Sequence, residues 1–490
     1  MVQSARADES TRSTHRLVLR NTLMLVAAQV LGMPLSIVLN AVMARYLGPE
    51  DFGYIYLATT FAGFGFLVVA WGQSGTLPAM VAKAPGDAGV LIGTGLVWRL
   101  CTSVLVYGVI AAGCFALGYG ATFQVALLLV SVGCFIATML GLILDTIRGF
   151  ERTDITAYGN LGWQVLTAVF SIPVLIVGGR LKAVLVAQDV AVFVALVLVI
   201  PSLRLIKGKK FAFDRALLKR LVVDGAPFLS LGLTMALQPN VDGVFLSKLA
   251  PVESVGWYAA ARKLIGVLVY PAAAMTTALY PTLARLHVEN LDAFRATVRS
   301  ALRATTLIVV PVALGCALYP DIGIRIFSRA SYGPAESDLR VLALFLFACY
   351  FSMVLGNALA ASGRPRGWAV AQFGCVVISA VADPLLVPWF QTHYGNGGLG
   401  ICVSSVASEV LMVGAAIWMS PSGLFDKTLA RQLLITSVAG GAMALAARLL
   451  SGLSSFIGAP LSVAAYVACL WALGGLGKEQ IQVLRSMFKK

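Results

Sequence analysis

The sequence predicts an all-α, multi-pass membrane protein of about fourteen transmembrane helices, arranged as two six-helix lobes followed by two further helices. Three observations predict it. Composition comes first: 59% of the residues are hydrophobic, only 12% are charged and the mean hydropathy is +0.87, whereas a soluble domain carries about 25% charged residues. The second is the length of the apolar runs, which recur at the roughly 20 residues that one bilayer crossing requires. The third is an internal repeat that divides the chain in two.

The apolar runs lie near 22–44, 52–73, 89–116, 121–147, 156–178, 182–204, 222–248, 254–282, 302–327, 338–361, 367–390, 396–419, 431–450 and 456–475. Residues 1–20 are too rich in Ser, Thr, Asp, Glu and Arg to form an apolar signal core, and are expected to be a disordered cytoplasmic tail. The N-terminal lobe is then 21–206, a basic cytoplasmic linker 207–221, the C-terminal lobe 222–421, the two additional helices 422–476 and a second tail 477–490. The linker, KGKKFAFDRALLKR at 207–220, sets Phe211, Phe213, Leu217 and Leu218 among basic residues. That composition suits an amphipathic segment on anionic lipid and equally a solvated connection that fixes topology.

Most of the 37 Lys and Arg residues fall in the tails and in alternate connections on the same side as the N-terminus. Basic residues are retained on the cytoplasmic side, so both termini are expected there. The same distribution removes the net charge of +15 as a sign of nucleic-acid binding, because no basic domain interleaved with aromatics stands apart from the topology.

The repeat is carried by ARYLGPEDFGYIYLA at 44–58 and KLAPVESVGWYAA at 248–260. Leu47, Gly48 and Pro49 match Leu249, Ala250 and Pro251. Asp51 matches Glu253 and, after a one-residue insertion, Gly53 and Tyr54 match Gly256 and Trp257. Pro78 and Pro281 follow in the same register. Gly48, Pro49 and Gly53 are turn residues, so each copy marks a boundary between two helices. The copies occupy equivalent odd and even crossings, which makes the halves parallel about an axis along the membrane normal.

Ionisable groups inside spans are costly, and they face a cavity or a partner. The cations are Arg99, Arg262 and Lys263, with Arg45 and Arg303 nearer helix ends; the acids well inside spans are Asp189, Asp242, Asp383 and Glu409. Arginine offers a bidentate fork to a diphosphate, and Arg262 and Lys263, about 100° apart on one helix, both border a wide cavity if it lies on their side. An intramembrane ion pair or a snorkelling side chain accounts for the same residues. Asp242 and Asp383 read as ion ligands or proton carriers, or alternatively as caps of helices broken near Pro239 and Pro384. Asn40 takes the place of Asp242 in the first repeat, which leaves the acids concentrated in the second half. The eight cysteines include no C-x-x-C pair and the three histidines are scattered, so the pattern supplies no zinc site. Phosphate-loop, zinc-protease, nucleophile-elbow and paired-carboxylate signatures do not occur, and the expected protein is not an enzyme.

With these residues in view, ARYLGPEDFGYIYLA at 44–58, ASGRPRGWAVAQFG at 361–374, Pro388 and YGNGGLG at 394–400 resemble the polysaccharide biosynthesis transporters that flip lipid-linked oligosaccharides. These belong to the multidrug/oligosaccharidyl-lipid/polysaccharide exporter superfamily, with the multidrug and toxic-compound exporters and the lipid II flippase. The resemblance spans about 20–421. It implies two lobes around a cavity that opens alternately to each side of a bacterial inner membrane. It implies an undecaprenyl-diphosphate-linked oligosaccharide as cargo, with its tail left in lipid, and polysaccharide polymerase and chain-length proteins as partners. Arg262, Lys263, Arg99, Arg45 and Arg303 become the expected substrate contacts. Asp242, Asp383, Ser404 and Glu409 become the expected ion-coupling group, because the lipid II flippase places a sodium site on its seventh, eleventh and twelfth helices. No cofactor is expected beyond coupling to Na+ or H+. A drug-cation antiporter of the same superfamily and a transport-inactive scaffold for glycan assembly are the rival readings.

Overall fold

A computed structural model describes residues 2–206, 211–327, 330–421 and 423–475, with side chains throughout except at 2–31, 231, 234–235, 326–327 and 330. Residues 207–210 of the expected linker and the expected tail 477–490 lie outside the described residues. The helices are α1 Val2–Ala70, α2 Gln73–Lys83, α3 Ala88–Ala116, α4 Ala121–Arg148, α5 Thr153–Ile176, α6 Leu181–Val199, α7 Arg215–Leu249 and α8 Val252–Glu289. They continue with α9 Leu291–Leu318, α10 Pro320–Phe327, α11 Ala335–Ala361, α12 Pro365–Tyr394, α13 Gly398–Met419, α14 Lys427–Leu449 and α15 Ser455–Ala472. No strand occurs among the described residues.

The repeated motif ends a helix in both places. Within α1 the backbone leaves helical geometry at Gly48, with φ 80° and ψ 175°, a region that essentially only glycine enters. In the second copy Leu249 closes α7, and Pro251 enters α8 with φ −59° and ψ 153°. The expected disordered tail at 1–20 is corrected: α1 is helical from Val2.

Twelve described helical stretches are long and apolar enough to cross a membrane, against the fourteen expected. The first, Gly32–Lys83, contains the Gly48 break and therefore joins two expected spans. α7 lies only partly within the residues so described and is not counted among the twelve. The chain is a multi-pass membrane protein, and its outer surface agrees: Val104, Val177, Val370 and Trp418 are each more than 70% exposed. Side chains of that kind are stable on the outside only where lipid replaces water.

The chain packs as two units, 1–240 and 241–490. The expected boundary in the 207–221 linker is thereby moved into α7. The physical reason is local: Trp71 Nε1 donates to the Val222 carbonyl at 3.0 Å, and a Cβ on Gly225 would lie 2.2 Å from the Trp71 carbonyl. The first turns of α7 are thus seated directly on the connection between α1 and α2. Phe211 and Phe213 are exposed, while Leu217 packs beside Leu77, Val81, Leu91 and Leu221, so the linker's apolar residues do not form one face.

The repeat is legible in the packing. The pairs α1 with α4, α3 with α4, α4 with α6 and α5 with α6 in the first unit recur as α8 with α11, α9 with α11, α11 with α13 and α12 with α13 in the second. The core of the first unit is built from Leu140, Ile143, Leu144, Ile147, Val192 and Val199. That of the second includes Leu283, Phe294, Leu302, Val354, Leu355 and Leu359.

The last two helices pack on each other and on α9 through Val310, Leu314, Met443, Tyr466 and Leu470. A polar clasp fixes their start. Asp426 caps α14 by accepting from Leu429 N at 2.8 Å and from the Thr428 hydroxyl at 2.6 Å, and Arg299 of α9 donates to it at 2.5 Å. The Thr428 and Leu429 hydrogen bonds, with Arg299 beside them, hold the Asp426 carboxyl below its ordinary 3.8, at about 2. A depressed carboxylate stabilises the fold above its unfolded value and loses that contribution as pH falls through the folded one. The clasp is therefore expected to be intact above about pH 3.8 and to release toward pH 2. Limited pepsin digestion across that window checks this: cleavage in 420–426 should accelerate on acidification, and Asp426→Ala should cleave fast throughout.

Candidate functional site

The second unit gathers the expected ion-coupling residues and one of the expected cations. Asp242 of α7 and Asp383 of α12 are 2% and 0% exposed, and their carboxyls adjoin one another. Asp383 Oδ1 accepts from the Ser404 hydroxyl of α13 at 2.5 Å. Asp242 Oδ1 and Asp383 Oδ2 accept no hydrogen bond from any described donor. α7 and α12 run unbroken through Pro239 and Pro384, so neither acid caps a helix end. Two carboxyls this close in a dry site do not both stay charged without a shared proton or a neighbouring positive charge, because like charges in low dielectric destabilise one another.

Arg262 of α8 supplies part of that positive charge. Its guanidinium stands 4.5 Å above the Phe345 ring of α11, a cation–π geometry, and it lies within electrostatic reach of both Asp242 and Glu409. Glu409 of α13 accepts from the Ser352 hydroxyl of α11. Lys263, one residue along α8, is exposed and is turned from the acids by the helical step.

The remaining expected cations lie elsewhere. Arg99 is 1% exposed inside the first unit. It donates to Gln73 Oε1 at 3.0 Å and to the Thr138 carbonyl, with Asp145 at 3.9 Å. That makes it the buried polar joint of α2, α3 and α4 rather than a group open to cargo. Arg303 is tied to Thr428 and stands 3.9 Å from Asp426, as part of the α14 clasp. Arg45 is exposed on α1, three residues before the Gly48 break.

Residues that sequence reasoning passed over complete the second unit's polar interior. Asp338, in the first turn of α11, is 0% exposed and accepts from Asn396 Nδ2 at 2.9 Å. Ser379 of α12 and Ser408 of α13 share a hydrogen bond at 3.0 Å, and Cys375 donates to the Ser408 carbonyl at 3.2 Å. The signal was present as spacing: Cys402, Ser405 and Glu409 recur at helical intervals on α13, as do Cys375, Ser379 and Asp383 on α12. Among the described residues, no group of three or more His, Cys, Asp and Glu is arranged to hold a metal ion.

Residues 18–287 match the family model described as polysaccharide biosynthesis protein, and residues 231–385 match the MatE model. The EPS I polysaccharide export inner membrane protein EpsE of Ralstonia nicotianae is 30% identical over 221 residues, 44% of this chain and 47% of that protein. The match thus spans about half the length of that curated relative. In fold, the chain is similar to the lipid II flippase MurJ in an inward closed conformation, with TM-score 0.70, 13% identity and coverage of 91% of this chain and 98% of that one. It is also similar to an inward-facing multidrug resistance MATE family transporter, with TM-score 0.64, 16% identity and coverage of 79% and 96%.

Proposed function

This chain belongs to the polysaccharide biosynthesis protein family, and on that premise we propose that it flips a polyprenyl-diphosphate-linked oligosaccharide from the cytoplasmic to the periplasmic leaflet of a bacterial inner membrane. The family match over residues 18–287 carries this reading. The EpsE likeness supports the polysaccharide setting, and the MurJ-like fold supports a route for a lipid-linked cargo. Transport proceeds by alternating access, Arg262 provides a forked donor for the diphosphate, and the polyprenyl tail stays in lipid. Lys263, which is exposed, stands as a further headgroup contact.

Transport is coupled to Na+ or H+ at Asp242 and Asp383, with Ser404 as the hydroxyl ligand. The two carboxylate oxygens that lack donors, Asp242 Oδ1 and Asp383 Oδ2, fit a hard monovalent cation or a proton. The MatE match at 231–385 covers the segments that hold these acids, and it favours a second reading as an antiporter of cationic small molecules.

Depletion of the protein from cells separates the two. Lipid-linked saccharide should accumulate on the cytoplasmic leaflet and surface polysaccharide should fall, with rescue by the wild-type chain. Unchanged surface glycan together with new sensitivity to cationic drugs would replace the flippase reading with the antiporter one.

A further inference from the structure

The second copy of the repeated motif and the glycine-rich turn at 394–400 meet at one corner, where α8, α11 and α13 begin. A Cβ on Gly397 would lie 2.6 Å from the Cβ of Ala250, one residue before Pro251. Gln391, near the end of α12, joins the two segments by accepting from the Ser254 hydroxyl at 3.3 Å and from Gly397 N at 2.8 Å. Asn396 donates to Asp338 Oδ1 at 2.9 Å and accepts from Gly398 N at 3.0 Å.

Asp338 is the unexplained member of this corner. It is wholly buried, yet its Oδ2 accepts no hydrogen bond from any described donor. The amides at the helix starts are committed elsewhere: Ser254 N donates to the Pro251 carbonyl at 3.0 Å, and the Gly397 and Gly398 amides go to Gln391 and Asn396. Among the described residues no Lys or Arg lies in salt-bridge range of Asp338. The surroundings offer acceptors instead. A Cβ on Gly398 would have as its three nearest neighbours Asn396 Oδ1 at 3.0 Å, Asp338 Oδ2 at 3.2 Å and the Ser254 carbonyl oxygen at 3.2 Å. Three oxygens thus converge beside a residue that has no side chain, and one of them belongs to a carboxylate. A buried charge with only acceptors around it calls for a positive partner. The first unit supplies one from its own chain. At the matching corner Asp51, just after the Gly48 break, accepts from Leu181 N at the start of α6 with Arg180 beside it. The corresponding turn of the second unit, YGNGGLG, has no basic residue.

We propose that this corner binds a small, hard monovalent cation of the Na+ kind between Asp338 Oδ2, the Ser254 carbonyl and Asn396 Oδ1, and that the ion ties the starts of α8, α11 and α13 together. Ligands that are all oxygen select a hard cation. A single carboxylate selects a monovalent one, since a divalent ion would leave net positive charge buried beside three helix N-termini. Two of the three ligands are neutral oxygens, so the site lies outside the groupings of His, Cys, Asp and Glu that mark a transition-metal centre. It is separate from the Asp242–Asp383 pair: Gly398 and Ser404 stand about 9 Å apart along α13 at 1.5 Å per residue. The inference therefore stands independently of the ion-coupling reading.

Binding of radioactive Na+ to the purified full-length protein in choline chloride tests this, with the Asp383→Asn chain as parent so that the central pair does not contribute. The parent should bind about one Na+ per chain and melt at a saturably higher temperature as Na+ replaces choline. Asp338→Asn, made in that parent, should weaken binding about a hundredfold and abolish the rise in melting temperature, while melting no earlier than the parent in choline alone. Gly398→Ala keeps the acid but sets a methyl group among the three oxygens; it should weaken binding about tenfold, and it decides the matter if Asp338→Asn does not fold. No Na+ bound by the parent, or equal binding with and without the Asp338 carboxylate, would overturn the corner site. Na+ bound by the wild type but not by the parent belongs to the central pair and likewise overturns it.

Discussion

Replacing Arg262 with alanine is expected to remove both transport and much of the stability of the second unit. The guanidinium is the described cation that acts on Asp242 and Glu409 within the membrane, and it rests on Phe345. Removing one member of a buried charge group leaves the others uncompensated, at a cost of about 3 kcal/mol or more. The melting temperature in detergent should fall markedly, and lipid-linked saccharide should accumulate in cells that carry the variant. The double variant Arg262→Ala with Asp242→Asn separates the two losses: stability should recover because the stranded charge is gone, and transport should not. Recovery of both would reduce Arg262 to a counter-charge and take it out of the headgroup site.

Asp383→Asn is expected to uncouple transport from its driving ion. Asp383 is fully buried, it receives the Ser404 hydroxyl and it faces a second carboxyl. The amide keeps the shape and the Ser404 contact while it deletes one of two like charges, so the variant should fold and melt no earlier than wild type. In proteoliposomes loaded with the lipid-linked saccharide, a pH or Na+ gradient should accelerate the wild type by a factor of about 5 to 150, the usual range of a coupling free energy. The variant should respond to neither gradient. A preserved response would move the coupling site away from the second unit.

Much of the fold was legible because its punctuation is chemical. Gly48 and Pro49 in succession favour a break between helices, and the structure leaves helical geometry at Gly48. The site was legible in part. Asp242, Asp383, Ser404, Glu409 and Arg262 stood out as polar groups in apolar runs, and they meet in one unit. Arg99 stood out for the same reason, but its partners Gln73 and Asp145 sit on neighbouring helices, and hydropathy does not reveal which helices touch. Asp338 was hidden by the opposite effect. It lies at the first turn of its span, where an acid passes as an ordinary dipole partner, yet α8 and the turn before α13 close over it. The boundary within α7 was likewise invisible, because it depends on Gly225 approaching the Trp71 carbonyl across the fold.

The mode of attachment of α14 and α15 bears on how the molecule is assembled during synthesis. Their main seat is α9, a helix completed more than a hundred residues before the pair emerges. Until then its docking face waits in lipid, which costs little because Val310 and Leu314 are as much at home among acyl chains as against Met443. Arg299 and Arg303 are different: they wait at the helix's water-facing end as unmatched positive charges, and Asp426 and Thr428 arrive to meet them. The apolar contact supplies adhesion without register, and the clasp supplies register without much adhesion. A late hairpin secured in this way takes its register from the acid that caps its first helix.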